Sequence, residues 1–436
     1  MRVGFYLANA KIADVSFAAP ERGNPGIGGS HFLVGVLPYY LEKFAGERIV
    51  PVVYANRPQS VPVSESVFAD DVLSAMRQAK SDGCECFVDI AKEIPRQVVA
   101  EADRLALPTV LWIHNVVRHT HLRDAARSSY IRRVVCSGHE IYDYLRDHWI
   151  ADKLAMTPNG FDCQAFSPKR SVEKDPKTVV YLGNIVKQKG FHIVARVWPR
   201  VLERFPDAKL RVVGTGRLYD RSIPLGPWGI ATEAYERKYL IPHLSGSNGQ
   251  PHPSVEFLGL LGGDRVQVLQ RAGVGVINPS GETENCPGSA LELQAAGTAV
   301  VSGAYWGVMD TVVHGHTGLL GRTDSDLVEN ICALLGDPMR AVKMGEAGIA
   351  YVQNKYDYRT IVEAWVRTLD EVVRGERPCR LPAKPNKFRH AKILRLTNEA
   401  IKQLLPALKP LPSVGETANG MRAVKRALRR GQPFRR

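Results

Sequence analysis

The stretch "GETENCPGSALELQAAGTAVVSG", residues 281–303, decides how the second half of the chain folds. A Pro-Gly pair starts a helix, and past Glu292 the segment turns small and apolar, as a buried helix followed by the buried strand "GTAVVSG" requires. Asn285 or Cys286 is expected as N-cap, with Pro287 in the first turn, where a missing N–H costs nothing. Gly288 and Ser289 are then the amides free to bind an anion at the positive end of the helix.

Working outward, short β-branched runs alternate with longer amphipathic stretches, the pattern of parallel sheets covered by helices. In the first half "RVGFYLA", "RIVPVVYA", "CECFVDI", "PTVLWIH", "RRVVCSG" and "KLAMTPN" read as strands. "GGSHFLVGVLPYYLEKFAG" reads as the helix after the first of them. The second half restarts with "TVVYLGN" and continues through "AKLRVVGTG", "SVEFLGLL", "GVGVINPS", "GTAVVSG" and "TGLLG". The polar, proline-flanked segment 167–177 is expected to link the halves, and residues 216–254 form a long insertion. No solenoid repeat is present. The expected divisions are an acceptor-side domain over 1–166, a donor-side domain over 167–350, a terminal helix over 351–374 that returns to the first domain, and a basic tail over 375–436.

The 436 residues are 44% apolar and 23% charged, as in water-soluble globular chains. No run is long enough for a membrane span. The N-terminus reads as a strand and not as a signal peptide. Seven scattered cysteines suggest reduced, structural thiols in a cytoplasmic protein, with a metal or redox role for Cys84 and Cys86 as the alternative. Residues 375–436 hold 16 Lys and Arg against three acidic residues, a net +13 of the chain's +14. A basic tail on a neutral globule suggests an anionic partner. Met421, Val424 and Leu428 share a helical face among arginines and lysines, which suits a membrane surface; a solvated, disordered extension is the alternative. Nucleic acid has no aromatic platform or groove-reading motif to support it.

Ligands of doubly wound sheets bind beyond the carboxyl ends of the strands. After the first strand, Gly28 and Gly29 precede a helix and either approach a phosphate or simply turn the chain. Neither "GNPGIGG" nor "GTGRLYD" is a dinucleotide-binding G-x-G-x-x-G. Lys187 and Lys189 follow "VVYLGN" and either neutralise a phosphate or lie on the surface. Glu284 and Glu292, eight residues apart, would span on the order of 12 Å along a helix. Glycosidase carboxylates stand about 5 to 9.5 Å apart, so these two are poorly placed to flank one bond. They fit a ligand with hydroxyls at both ends and a phosphate in the middle, the shape of a nucleotide sugar.

Eight segments in order resemble the family-4 retaining glycosyltransferases of the GT-B fold, over residues 1 to 370. "YLGNIVKQKGFHIV", "RVVGTGRLYD", "SVEFLGLL", "NPSGETENCPGSALELQAAGTAVVSG" (the E-x7-E signature) and "TVVHGHTGLLG" resemble the C-terminal domain. "LWIHN", "VVCSGHE" and "TPNGFDCQAFSP" resemble the N-terminal one. The resemblance implies an α/β architecture of two Rossmann-like domains facing across a cleft. It implies that Glu284 holds sugar hydroxyls, Glu292 the ribose, Gly288 and Ser289 the diphosphate, and Lys189 a charge beside it. Gly28 and Gly29 would line the phosphate and acceptor side, Asn184 and Gly214 would belong to the donor site, and His114 would reach the sugar near its reacting carbon. Asn159 and Gly160 would mark the hinge. Departures from the family pattern are Asn184 in place of Arg, with Lys187 or Arg217 as substitutes, Cys286-Pro287 in place of Phe-Gly, and Asn115 in place of Asp. Asp310 represents an acidic residue of a nearby loop.

The implied activity is retaining sugar transfer from a nucleotide-diphosphate sugar to a lipid-linked or saccharide acceptor hydroxyl. It would serve cell-surface polysaccharide or glycolipid synthesis, with no metal or other cofactor. The departing phosphate would take the acceptor's proton. The tail would attach to the cytoplasmic face of an anionic membrane. Asp324–Asp326 ("DSD") reads as a helix cap and not as a metal motif. The rival readings are a degenerate GT-B subunit that binds or scaffolds a partner, and a sugar-nucleotide epimerase.

Overall fold

The computed structural model describes residues 1–10, 17, 19–90, 95–115, 117–168, 172–218, 222–282, 284–384 and 391–430. The side chains of Val424 and Leu428, and residues 431–436, lie outside this description.

The first sheet has seven parallel strands: β1 (Arg2–Leu7), β2 (Val50–Ala55), β3 (Glu65–Phe68), β4 (Cys86–Ile90), β5 (Thr109–Ile113), β6 (Ile131–Cys136) and β7 (Leu154–Met156). Their order, β3-β2-β1-β4-β5-β6-β7, is that of a doubly wound sheet. The intervening helices are α1 (Gly29–Ala45), α2 (Val72–Ser81), α3 (Arg96–Leu105), α4 (His119–Arg127) and α5 (His139–Leu145). Helices cover both faces, which is why β5 is buried at every position and reads as an unbroken apolar run. The sequence pattern missed β3: "ESVF" is a half-exposed edge strand with little apolar signal.

After α6 (Cys163–Phe166) comes the second sheet: β8 (Asp175–Leu182), β9 (Lys209–Val213), β10 (Val255–Gly259), β11 (Ala272–Val276), β12 (Ala299–Gly303) and β13 (Gly318–Gly321). It is again doubly wound, in the order β10-β9-β8-β11-β12-β13. Its helices are α7 (Phe191–Leu202), α8 (Glu233–Tyr235), α9 (Ile241–Leu244), α10 (Arg265–Arg271), α11 (Gly288–Ala295), α12 (Val308–Thr311), α13 (Asp324–Gly336) and α14 (Pro338–Tyr356). Phe161, Cys163 and Phe166, which precede the expected linker, already pack in this second core. Asp326 caps α13 in a reciprocal pair with Thr323, and Asp324 binds Arg196 at 2.7 Å, so "DSD" is a helix start.

The chain returns through α15 (Tyr358–Arg374), whose Ile361, Trp365, Val366 and Leu369 join the first core against α1. The Phe161 amide donates to the Tyr356 carbonyl at 2.8 Å, so outgoing and returning crossings lie side by side. A Cβ on Gly160 would stand 2.3 Å from the Tyr358 ring, and only glycine lets the two crossings approach this closely.

The tail is not a loose extension where it is described. It forms α16 (Lys392–Leu404) and α17 (Val414–Arg430) on the first domain. Arg123 Nε stands 2.5 Å from Glu416, and Trp149 Nε1 donates to the Pro410 carbonyl at 3.0 Å. Helix α16 has two distinct faces. The charges of α16 point inward into ion pairs, because α5 and the turn after it offer Glu140, Asp143 and Asp147 as partners.

Candidate active site

Between the carboxyl ends of the two sheets lies a cavity of about 1410 Å3. All ten residues singled out from the sequence line it: Gly28, Gly29, His114, Asn184, Lys189, Gly214, Glu284, Gly288, Ser289 and Glu292.

Two helix N-termini face this space. Gly28 caps α1 without a side-chain bond, after a turn in which Asn24 Oδ1 accepts from the amides of Gly26 and Ile27 at 2.9 Å. A Cβ on Gly29 would meet nothing within 4 Å. At α11 the expected cap is corrected: Pro287 itself is the N-cap, extended at φ −66°, ψ 113°, and the helix begins at Gly288. Neither Asn285 nor Cys286 caps it. Asn285 turns away to donate to the His114 carbonyl, and Cys286 packs into the second core. The Ala290 amide bonds back to Pro287, so the amides of Gly288 and Ser289 stand ahead of the first intrahelical bond. Burial pushes the Cys286 thiol up to about 12, which makes it a space-filling group and not a nucleophile.

Each glutamate holds a cation. Glu284 Oε1, in the loop before α11, accepts from Lys189 Nζ at 2.7 Å and from Asn278 Nδ2 at 3.0 Å. Asn278 is fixed in turn by the carbonyls of Gln188 and Glu282. Glu292, in the second turn of α11, accepts from Arg265 Nε at 2.8 Å. Arg265 also donates to the Gly262 carbonyl at 2.9 Å and lies 5.2 Å from the Phe166 ring. Sequence reasoning missed Arg265 and Asn278. Asn278 could have been found as the residue just past β11, whereas nothing in "GGDRVQVLQRA" distinguishes Arg265 from a surface helix arginine.

The substitutes proposed for the missing arginine need correction. Neither Lys187 nor Arg217 lines the cavity, and Arg217 Nε is bonded to the Ile223 carbonyl at 2.7 Å. The cation placed in the cavity in addition to Lys189 is Arg265. Asn184 is buried at the cavity wall, and both atoms of its amide lack a partner among the described residues. The same holds for His114 Nε2, Asn159 Oδ1 and Ser137 Oγ, all on residues lining the cavity. Buried polar atoms are nearly always bonded, so such a cluster fits a wall completed by a polar ligand. Burial pushes the His114 pKa down to about 3, which keeps its imidazole neutral. Gly214 has φ +149°, and a Cβ there would sit 1.9 Å from the Gly183 carbonyl oxygen; glycine alone brings these two strand ends together.

The domains also touch beside the cavity. Asn159 Nδ2 donates to the Cys286 carbonyl at 3.3 Å, and the Glu140 amide at the start of α5 donates to Asp310 Oδ2 at 3.0 Å. Asp310 is also paired with Lys384 of the tail, so this acid serves the domain seam.

Residues 176–337 match the family model Glycosyl transferases group 1. The matched segment lies within the second domain. Over 236 residues the chain is 29% identical to a D-inositol 3-phosphate glycosyltransferase of Corynebacterium aurimucosum, covering 50% of this chain and 52% of that protein. Over 224 residues it is 27% identical to a GDP-mannose-dependent alpha-(1-6)-phosphatidylinositol monomannoside mannosyltransferase of Mycolicibacterium smegmatis, covering 48% and 53%. The chain thus spans about half the length of these relatives. The fold likeness reaches further than the group 1 match. HepE of Anabaena, solved with UDP and glucose, superposes with a TM-score of 0.59 at 15% identity over 85% of this chain and all of that one. A glycosyltransferase from Rickettsia africae gives 0.64 at 13% identity over 85% and 98%. Both domains together therefore have the GT-B arrangement, with the matched segment in its second half.

Proposed function

We propose that the chain is a retaining glycosyltransferase that moves a sugar from a nucleotide-diphosphate sugar to an acceptor hydroxyl, in cell-surface polysaccharide or glycolipid synthesis. The carrying observation is the cavity between the sheets, where the N-terminus of α11 lies between two glutamates that each hold a cation. In this reading Glu292 and Arg265 take the ribose end, the amides of Gly288 and Ser289 the diphosphate, and Glu284 the sugar hydroxyls. Lys189, held by Glu284, and the helix dipole stabilise charge developing on the leaving diphosphate. The acceptor hydroxyl attacks the anomeric carbon on the face the diphosphate leaves, and the departing phosphate oxygen takes its proton. Configuration is retained, and no metal is required. Support for the donor class comes from the activities for which the two relatives are named and from the UDP and glucose bound to HepE. The phosphatidylinositol monomannoside in one relative's name supports a lipid-linked acceptor and work at an anionic membrane face of the cytoplasm. No helix among the described residues is long and apolar enough to cross a membrane.

The test is a screen of nucleotide sugars for binding and turnover. Wild type is expected to transfer or hydrolyse one donor, and Glu284→Ala to lose that activity while folding normally. The neutral Asn184 amide in the cavity wall favours a second reading, a degenerate subunit that only binds or scaffolds. Absence of donor binding at millimolar concentration would select it.

A further inference from the structure

Helix α16 is built inside out. Its thirteen residues include four charged ones, Lys392, Arg395, Glu399 and Lys402, and all four are buried. Their spacing of three, four and three residues places them on one face. Lys392 Nζ lies 2.7 Å from Asp143, Arg395 Nη1 3.1 Å from Asp147, and Glu399 2.5 Å from Arg146 Nε. Lys402 Nζ donates to the carbonyls of Asp147 and Leu411 at 2.8 and 2.6 Å. The outward face therefore carries no charge. It exposes Ile393, Leu394 (61%), Ile401 and Leu404 (80%), continued by Leu405 and Leu411 beyond the helix end. A water-facing helix normally has the opposite arrangement. A contiguous apolar face of this kind marks a surface meant to be covered.

We propose that this face of α16, with Leu405 and Leu411, docks the protein on an anionic lipid bilayer surface. The charge of the segment selects that occupant. Residues 375–436 carry a net +13, so a second copy seated on the same face would set like charge against like, whereas anionic lipid attracts it. Docking is at the interface and not across it, because α16 is too short to span a bilayer. The location serves the proposed transfer. Helix α5, which carries α16, begins where the Glu140 amide meets Asp310 at the domain seam, and Ser137 just before it lines the cavity. Docking would thus hold the mouth of the cleft beside the lipid that bears the acceptor. This purpose rests on the transferase reading; the docking surface itself does not.

Co-sedimentation of the full chain with phosphatidylcholine vesicles, with and without phosphatidylglycerol, tests the proposal. Wild type is expected to bind the anionic vesicles. The double variant Leu394→Gln/Leu404→Gln, which changes only exposed side chains, is expected to bind roughly a hundredfold more weakly with its melting temperature unchanged. Its nucleotide-sugar binding should equal that of wild type. Vesicle binding undiminished in the variant, or absent in wild type, overturns the proposal, as does a wild-type dimer that the same substitutions dissolve. Failure of wild type to bind any nucleotide sugar would defeat the transferase reading while leaving the vesicle result standing.

Discussion

Arg265 Nε stands 2.8 Å from Glu292 Oε2, and the two side chains are only 5% and 12% exposed. The pair joins the start of α10 to the second turn of α11, beneath the part of the cleft assigned to the ribose. Removing one partner leaves a buried charge unmatched, which typically costs about 3–5 kcal/mol. Arg265→Ala is therefore expected to lower the thermal stability of the second domain and to weaken nucleotide-sugar binding. Calorimetry and a donor titration measure the two effects. An unchanged melting temperature would show that the pair does not stabilise the fold, and an unchanged donor affinity that it does not serve binding.

Lys189 acts in the proposed reaction through its charge, delivered to the leaving diphosphate. Lys189→Ala is expected to lower kcat about a hundredfold with a smaller change in KM. Activity of the wild type should survive exhaustive treatment with a metal chelator. Loss of turnover with chelator, restored by a divalent cation, would contradict the proposed mechanism.

The neutral state of His114 has a visible consequence. With its pKa pushed down to about 3 by burial, the imidazole does not change charge anywhere between pH 5 and pH 8, unlike an ordinary histidine titrating near 6.5. The pH dependence of kcat/KM should accordingly show no limb that disappears in His114→Asn. Titration of the His114 ring by NMR gives an independent reading, and a midpoint above about 5 would contradict the burial argument.

Acid should loosen the tail. Burial raises the Glu416 pKa, but His148, whose Nε2 lies 3.6 Å away, and the Ser413 amide, which donates at 2.7 Å, outweigh it and hold the carboxyl well below its usual range. Asp143 is likewise lowered: burial opposes ionisation, and the nearby His139 ring and Lys392 ammonium, at 3.4 and 2.7 Å, outweigh it. Carboxyls depressed in the folded state contribute stability above their free pKa, near 4, and lose it as pH falls further. His119, which packs against Gly415, is pushed down to about 4 by burial and by neighbouring His148. A histidine held neutral begins to oppose docking once pH drops below about 6.5. Both effects have the same sign. Hydrogen-exchange protection of residues 392–422 should therefore fall progressively below about pH 6.5 and collapse near pH 4. Protection constant over that range would refute the linkage.

What was legible in the sequence depended on whether its signal was local. The buried strands and the helix start at Pro287-Gly288 announce themselves by composition and turn chemistry; of the ten cavity residues, His114, Asn184 and Gly214 fall within two residues of a strand end, and the others lie in the loops and helix starts that follow. Arg265 was not legible, because its meaning comes from Glu292, 27 residues later. Asp310 was placed only by resemblance, since its partner is the amide of Glu140, 170 residues away. The tail was legible only in part for the same reason. Periodicity shows that α16 has two faces, but which one points inward is decided by the acids of α5.

The hydrogen bond from Phe161 to Tyr356 makes the second domain an insertion whose two ends meet at one point. Apart from the Lys384–Asp310 pair at the seam, the chain after Tyr358 goes back to the first domain, so the second domain can be exchanged as a cassette between residues 161 and 356 without cutting either sheet. In the proposed function, donor choice and the docking surface are then carried by separate parts of the chain. A chimera carrying another group 1 cassette should change its nucleotide sugar and keep its address.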